Sequence, residues 1–222
     1  MSPETRIIII AKEPRPGFAK TRLIPALGAN GAARLADRLL RHTLAQAREA
    51  GVGQVELCVA PDVNAPFWQS LIRAGQVELS QQADGDLGQK MASASGQGLA
   101  RGTPVILIGT DCPGLDVAKL RTMAASLKGH DACLCPVLDG GYSLLGLTRP
   151  APELFRNMPW STSQVAALTR QRLRELGWSW HESAQLSDID EPDDLHHLHQ
   201  HFPELLQESS PASAGKTTGD TP

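Results

Sequence analysis

Several short segments concentrate side chains able to hold a phosphorylated ligand. In AKEPRPGFAKTRL (residues 11–23), Pro14, Pro16 and Gly17 set an irregular loop, and Lys12, Lys20 and Arg22 stud it. Fixed cationic donors of this density suit a polyphosphate; a solvated basic loop is the plainer alternative. Ala19, not Gly, precedes Lys20 and Thr21, so this is not the phosphate loop of the Walker A type, and no G-x-G-x-x-G follows a strand pattern. In VILIGTDCPGL (105–115), Asp111 sits three residues past an apolar run, in a turn bounded by Gly and Pro. A carboxylate there can hold Mg²⁺, which takes one or two carboxylates plus substrate phosphates, or can merely shape the turn. In LSDIDEPDDL (186–195), Asp188 and Asp190 alternate around Ile189, so an extended backbone turns them to opposite sides and only one faces a site. Asp190 could instead cap the helix that Pro192 opens.

Two glycine-bearing loops and a tryptophan segment complete the set. ADGDLGQKM (83–91) leads into a helix pattern; Gly85 and Gly88 permit close backbone approach, and free N–H groups at the helix start could meet a base edge. LDGGYSLLGL (138–147) places Asp139, Gly140, Gly141 and Tyr142 between strand patterns, either as one wall of an acceptor pocket or as a plain hairpin turn. In MPWSTSQV (158–165), Trp160 is a second candidate wall, and Ser161 or Thr162 is expected to cap a helix. His196, His197, His199 and His201 tempt a metal reading, but no further ligand is spaced to complete a site, and a solvated helix face is expected.

The elements that must position these residues alternate. Strand patterns cover 6–11, 54–60, 76–79, 104–108, 132–137 and 142–147; helix patterns cover 32–50, 65–74, 87–100, 117–127 and 163–176. Runs such as IIII and VILI are apolar on both faces, as in parallel strands covered by helices. The three-residue link DGG is too short for a crossover, so the strand at 142–147 is antiparallel to its predecessor. The expectation is one α/β domain over residues 1–208, with three α/β/α layers and a mixed, mostly parallel sheet. Residues 209–222 contain no large apolar side chain and are expected to form a disordered tail.

Composition narrows the function classes. The 222 residues carry 21 Lys+Arg against 24 Asp+Glu, a net charge of −3, which argues against a nucleic-acid binder acting through net positive charge. Hydrophobic residues make 41% and aromatics 4%, so the core must be mainly aliphatic. No apolar run approaches the roughly 20 residues of a spanning helix, and no signal-peptide pattern opens the chain, so neither a membrane nor a nucleic-acid partner is expected and a cytoplasmic location is the default. The four cysteines form no CxxC pair; alternation puts Cys133 and Cys135 on one strand face, as buried apolar side chains. Charge is segregated: Arg6, Lys12, Arg15, Lys20 and Arg22 lie near the start, while residues 181–208 hold eight acids and no Lys or Arg. If these segments meet beyond the strands' carboxyl ends, one side can hold phosphate and the other a divalent cation.

Taken in order, AKxPxxGxxKTRL, GDLGxRM, GTDxPxL, DGGYxLxGL, WST and DID resemble the pattern of a bacterial glycosyltransferase-like family in the nucleotide-diphospho-sugar transferase (glycosyltransferase-A fold) superfamily. The match runs from about residue 6 to residue 206, with Lys90 where an Arg is usual. More distantly, the layout is similar to molybdenum-cofactor and phospholactate guanylyltransferases. The resemblance implies a nucleotide donor bound by Lys12, Gly17, Lys20, Arg22, Gly85 and Gly88. It implies Mg²⁺, with Mn²⁺ as a substitute, on Asp111 and Asp190, and Lys20 and Asp111 as the catalytic pair. Which of Asp188 and Asp190 faces the metal stays open, as do the base, the small-molecule acceptor and the oligomeric state. The implied reaction is Mg²⁺-dependent nucleotidyl transfer from a nucleoside triphosphate with pyrophosphate release. Glycosyl transfer from a nucleotide-diphospho-sugar is the alternative, and a nucleotide-binding protein without turnover the second alternative.

Overall fold

Ile7, Ile8, Ile9, Ile106 and Leu107 are almost wholly removed from solvent although they sit in consecutive positions. Only a strand covered on both faces buries neighbours in this way. A computed structural model describes residues 4–72 and 77–206. The strands are β1 (Arg6–Lys12), β2 (Val55–Ala60), β3 (Val77–Gln81), β4 (Val105–Ile108), β5 (Ala132–Pro136), β6 (Tyr142–Leu147) and β7 (Trp180–Glu182). The helices are α1 (Ile24–Ala50), α2 (Pro66–Ile72), α3 (Leu87–Leu99), α4 (Val117–Ser126), α5 (Val165–Glu175) and α6 (Asp194–His201). The strands form one sheet in the order β3-β2-β1-β4-β6-β5-β7. β6 runs antiparallel to both β4 and β5; the other pairings are parallel.

Alternation along β1 divides the core. Ile7, Ile9 and Ala11 pack with Leu40 and Leu44 of α1, Trp68 of α2, and Leu120 and Met123 of α4. Ile8 points the other way, to Met91 and Ala94 of α3 and Leu173 of α5. Helices therefore cover both faces, the three-layer arrangement expected from the sequence. A third apolar cluster joins Leu35 and Leu39 of α1 to Ile189 and Leu198, so the polar-rich α6 segment is anchored onto α1. Among the described residues, no helix is long and apolar enough to cross a membrane.

Three expectations change. α1 starts at Ile24 rather than residue 32, but Gly28 (φ 68°, ψ 164°) interrupts its helical dihedrals, so the regular apolar stripe begins only beyond it. β7 is three residues of mixed polarity, too short to show a period. Arg6 leaves the basic group: it lies at the start of β1, away from the strand's carboxyl end, and its guanidinium pairs with Glu56 at 3.1 Å and Glu78 at 2.9 Å. Residues 73–76 and 207–222 lie outside the described residues, and with them the expected tail and one end each of two expected elements.

A Cβ placed on Gly146 would lie 2.3 Å from Cys133 Sγ and 3.3 Å from Ile106 Cγ1. Gly146 belongs to β6, between two strands, so neither neighbour can retreat. Gly146→Ala is expected to lower the free energy of urea unfolding by about 1–3 kcal/mol with an unchanged m-value. All four cysteines are free and buried. Burial pushes the Cys112 and Cys133 thiols up to about 12. Such a thiol keeps its proton in the folded chain while the unfolded chain ionises nearer pH 9, so its stabilising effect is intact below pH 9 and lost as pH rises toward 12. At pH 8, Ellman's reagent is expected to leave the folded protein unmodified and to label all four thiols in urea.

Candidate functional site

The path from β1 through β2 and β3 proceeds to one side, and α3 then returns the chain to β4 on the other side of β1. This reversal opens a crevice beyond the carboxyl ends of β1 and β4, where open α/β sheets bind ligands. A cavity of about 590 Å³ lies there. Its walls come from the loop after β1, the start of α3, the turn after β4, the start of β6, the segment before α5, and Asp190.

Lys20 is the centre of the charged wall. It takes a left-handed backbone conformation (φ 52°, ψ 43°) just before a short 3-10 turn, Thr21–Leu23. For a residue with a Cβ this costs roughly 1–2 kcal/mol, and the loop's neighbours must hold it. The side chain, 5% exposed, brings its ammonium 2.6 Å from Asp111 Oδ1 and 3.2 Å from Asp190 Oδ1. It also donates to the Ile189 carbonyl. Burial acts to lower the Lys20 pKa, but the charges and hydrogen bonds of Asp111 and Asp190 outweigh it and hold the ammonium above its usual range. Arg22 adds contacts to Asp190 at 3.0 Å and Glu191 at 3.3 Å. The early basic and late acidic segments therefore meet.

Backbone bonds bring the distant partners together. Ile189 N–H donates to the Asp111 carbonyl at 2.8 Å, and Cys112 Sγ donates to the Ser187 carbonyl at 3.2 Å. Leu186 extends the sheet by bridging to Val137 beyond β5. Asp190 does not cap a helix: α6 starts at Asp194, whose carboxylate accepts from Asp190 N–H at 2.8 Å and Glu191 N–H at 2.7 Å. The turn so formed aims Asp190 at Lys20. Asp188, on the other side of buried Ile189, makes no described contact with Lys20. Burial first, then the nearby charge of Asp139, raises its carboxyl to about 6.

The remaining expected residues divide. Lys12, Lys20, Arg22, Asp111, Asp139, Gly141, Tyr142, Trp160 and Asp190 share the cavity wall, whereas Gly17, Gly85, Gly88 and Gly140 do not. Two of these glycines have local duties. Gly88 packs so closely that a Cβ would lie 2.6 Å from the Phe155 carbonyl oxygen and 3.0 Å from Trp160 Nε1; one on Gly140 would meet the Ser163 backbone at 2.3 Å. The start of α3 is closed by a capping box between Asp86 and Gln89. Ser161 and Thr162 are not helix caps either, since α5 begins at Val165 after Gln164; Ser161 is instead a left-handed residue (φ 62°) in the cavity wall.

Lys12 and Lys90 also line the cavity, and among the described residues neither forms an ion pair. Tyr142 and Trp160 meet edge to face, centroids 6.5 Å apart, and burial raises the Tyr142 phenol pKa. Lining residues not singled out from sequence include Phe18, Gln82, Leu87 and Met91. Phe18 and Leu87 are 38% and 42% exposed, large apolar side chains left uncovered at a crevice. Both lie within the motifs, but an apolar side chain there gives no signal of exposure.

The residues fit a divalent cation in one respect and resist it in another. Two carboxylates converge within reach of one positive centre, which suffices for a cation completed by phosphates. That centre is now the Lys20 ammonium, and no group of three or more acidic, His or Cys ligands occurs among the described residues.

Comparisons with known proteins agree with this architecture. No curated protein matches the sequence. A protein of Desulfovibrio desulfuricans G20 assigned as a nucleotide-diphospho-sugar transferase has 25% identity and a TM-score of 0.80, over 90% of this chain and 89% of that one. A nucleotidyl transferase from Methanothermobacter has 16% identity and a TM-score of 0.60, over 90% and 98%. Rv0371c of Mycobacterium tuberculosis H37Rv, in complex with manganese, has 18% identity and a TM-score of 0.50, over 90% and 100%. The model of a family described as uncharacterized protein conserved in bacteria (DUF2064) matches residues 43–162, more than half of the sequence. The chain belongs to that family and carries the fold of the nucleotide-diphospho-sugar transferase superfamily.

Proposed function

We propose that the protein is a metal-dependent transferase that takes a nucleotide donor, and that its reaction is nucleotidyl transfer to a small acceptor. The observation that carries this reading is the Lys20 ammonium between Asp111 and Asp190, in a crevice also lined by Lys12 and Lys90, which form no ion pair among the described residues. Four cationic side chains including Arg22 suit a triphosphate better than a neutral ligand. Asp111 and Asp190 would hold Mg²⁺ or Mn²⁺, which supplies charge neutralisation on the phosphates when bound. The manganese and nucleotidyl transferase descriptions of two structural neighbours agree with this choice.

In this reading Lys20 releases its carboxylates when the donor arrives and takes a phosphate oxygen instead. Lys12, Lys90 and Arg22 hold the polyphosphate, and Tyr142 and Trp160 wall the acceptor. An acceptor oxygen attacks the α-phosphorus in line, the α–β bridging bond breaks, and pyrophosphate leaves with its negative charge offset by Lys20. The chain supplies positioning and fixed charge and needs no nucleophile of its own. Glycosyl transfer is the second reading, favoured by the assignment of the Desulfovibrio neighbour. There the acceptor attacks the anomeric carbon and a nucleoside diphosphate leaves.

Thermal unfolding with nucleoside triphosphates and nucleotide sugars, with and without Mg²⁺, tests the donor. A ligand at a hundredfold excess over its Kd adds about 2.7 kcal/mol. A Mg²⁺-dependent rise with a triphosphate, lost in Asp111→Asn, is the expected result; a rise only with nucleotide sugars selects glycosyl transfer, and no Mg²⁺-dependent rise rejects the site. A second prediction concerns the ammonium. Removing it in Lys20→Met leaves two uncompensated carboxylates, so free Mn²⁺, followed by electron paramagnetic resonance without nucleotide, is expected to bind about tenfold or more tightly than to the unaltered protein. Unchanged Mn²⁺ affinity would place the metal elsewhere.

A further inference from the structure

The cavity is charged unevenly. Its cationic lining residues, Lys12, Lys20, Arg22 and Lys90, come from the end of β1, the loop after it and α3. β6 lies on the other side of β4 from β1, and α5 is tied to the loop before β6 where Ala166 N–H donates to the Gly140 carbonyl at 2.8 Å. From this side the wall receives Asp139, Tyr142, Ser143, Trp160, Ser161 and Thr162, and no Lys or Arg. Asp139 forms no ion pair among the described residues. Its Oδ1 accepts from Gly141 N–H at 2.7 Å. A Cβ on Gly141, itself in the cavity wall, would lie 3.1 Å from Oδ1 and 3.7 Å from Oδ2, so both oxygens stand over that glycine.

Most side-chain donors on this side have already spent their hydrogens. The Thr162 hydroxyl donates to the Pro159 carbonyl at 2.7 Å, and that of Ser143 to the Cys135 carbonyl at 3.3 Å. Carbonyls only accept, so each hydroxyl keeps lone pairs but no hydrogen. The Tyr142 hydroxyl turns to Met91 Sδ, 3.9 Å away. Trp160 Nε1 is enclosed without a partner, so any part of the indole that meets the cavity is carbon. Of the six, only Ser161 keeps a hydroxyl with no partner among the described residues. Such a wall asks its ligand for hydrogens. A phosphate monoester near pH 7 has few to give and would face the Asp139 carboxylate with no cation beside it. An ammonium would pair with Asp139, but its lone pair then carries a proton and cannot attack. A hydroxyl gives its hydrogen and keeps lone pairs for the attack, and a sugar or polyol offers C–H surface to the indole carbons. We propose that the acceptor is a neutral sugar or polyol that reacts through a hydroxyl, and that Asp139 binds that hydroxyl. The hydroxyl oxygen bonds to the donor, the leaving phosphate departs with the bonding pair, and the proton leaves along the hydrogen bond to Asp139. This inference rests on the transferase reading above and deepens it.

The test incubates the full chain with Mg²⁺, the donor that gives the Mg²⁺-dependent thermal shift, and a small-molecule extract of bacterial cells. Release of pyrophosphate or nucleoside diphosphate above the extract-free rate is followed, so either bond cleavage registers. The extract is also cleared of phosphate esters by immobilised alkaline phosphatase and passed over anion and cation exchangers. The unretained, neutral fraction is expected to keep the acceptor activity. In Asp139→Asn, whose amide oxygen can still accept from Gly141 N–H, turnover with that fraction is expected to fall about tenfold or more, with folding checked by circular dichroism. Activity destroyed by the phosphatase, or recovered only from an exchanger, overturns the inference and leaves the transferase reading intact. So does a fall of less than tenfold in a folded Asp139→Asn. If that variant does not fold, the fractionation on the unaltered protein decides. No turnover with the unfractionated extract overturns the transferase reading itself, and this inference with it.

Discussion

Lys20 reaches two carboxylates from a backbone conformation that side-chain-bearing residues adopt only at a cost, and the rest of the crevice is arranged around that contact. Its partners come from positions 111 and 190, so three remote stretches of chain meet at one ammonium. Two carboxylates so close would repel each other in a partly dry wall without a cation between them. A buried ammonium without them would lose its charge or its place. Removing either side leaves the other uncompensated, so the trio is mutually dependent in a way that surface ion pairs are not. Arg22, about half exposed, extends the same network into solvent and is the weaker member.

The sheet makes this convergence possible. β1 and β4 lie side by side, which puts the basic loop and the Asp111 turn next to each other. The acidic segment is then sewn on by Ile189, whose buried side chain joins the α1–α6 cluster while its amide holds the Asp111 carbonyl. Stability and function share that residue: the apolar side chain fixes the height of the backbone, and Asp190, one position later, is delivered to Lys20. Asp194 then bends the chain with two short hydrogen bonds before α6 begins.

The legible parts of this design were those with a period or a strong residue type. Consecutive isoleucines announced doubly covered strands, the DGG link announced the antiparallel β6, and the cysteine alternation in β5 placed Cys133 and Cys135 together in the core. Asp111 was a candidate because it follows a buried strand in a turn bounded by Gly and Pro, Lys20 because it studs an irregular basic loop, and Asp190 through the resemblance that DID carries. The glycines are ambiguous for a physical reason. A glycine that lets a ligand approach and one that lets a neighbouring loop approach have the same sequence signal, and at Gly88 and Gly140 the neighbour is Phe155 or Ser163. The caps misled similarly: Ser161 and Thr162 stand where a helix could start, but the left-handed turn at Ser161 delays it to Val165. Gln82 carried no signal, because a glutamine beside a loop is ordinarily solvated, and only its hydrogen bonds to the Ala11 and Cys58 carbonyls hold it in the cavity wall.

Why the motifs define a site more sharply than a reaction follows from the same electrostatics. On the proposed reading, the cationic side chains, with a metal held by the two carboxylates, would stabilise negative charge moving onto a departing phosphate, whichever bond is broken to release it. What separates nucleotidyl from glycosyl transfer is which donor atom lies in line with the acceptor oxygen. In that reading, the wall of Tyr142 and Trp160 bears on the alignment by limiting where an acceptor can sit. Trp160 packs closely against the start of α3, where a Cβ on Gly88 would lie 3.0 Å from its Nε1. On the proposed reading, the mobile element is the Lys20 head group, which must exchange carboxylate for phosphate as the donor enters. A ligand without a phosphate to offer the ammonium leaves both carboxylates occupied by their own lysine.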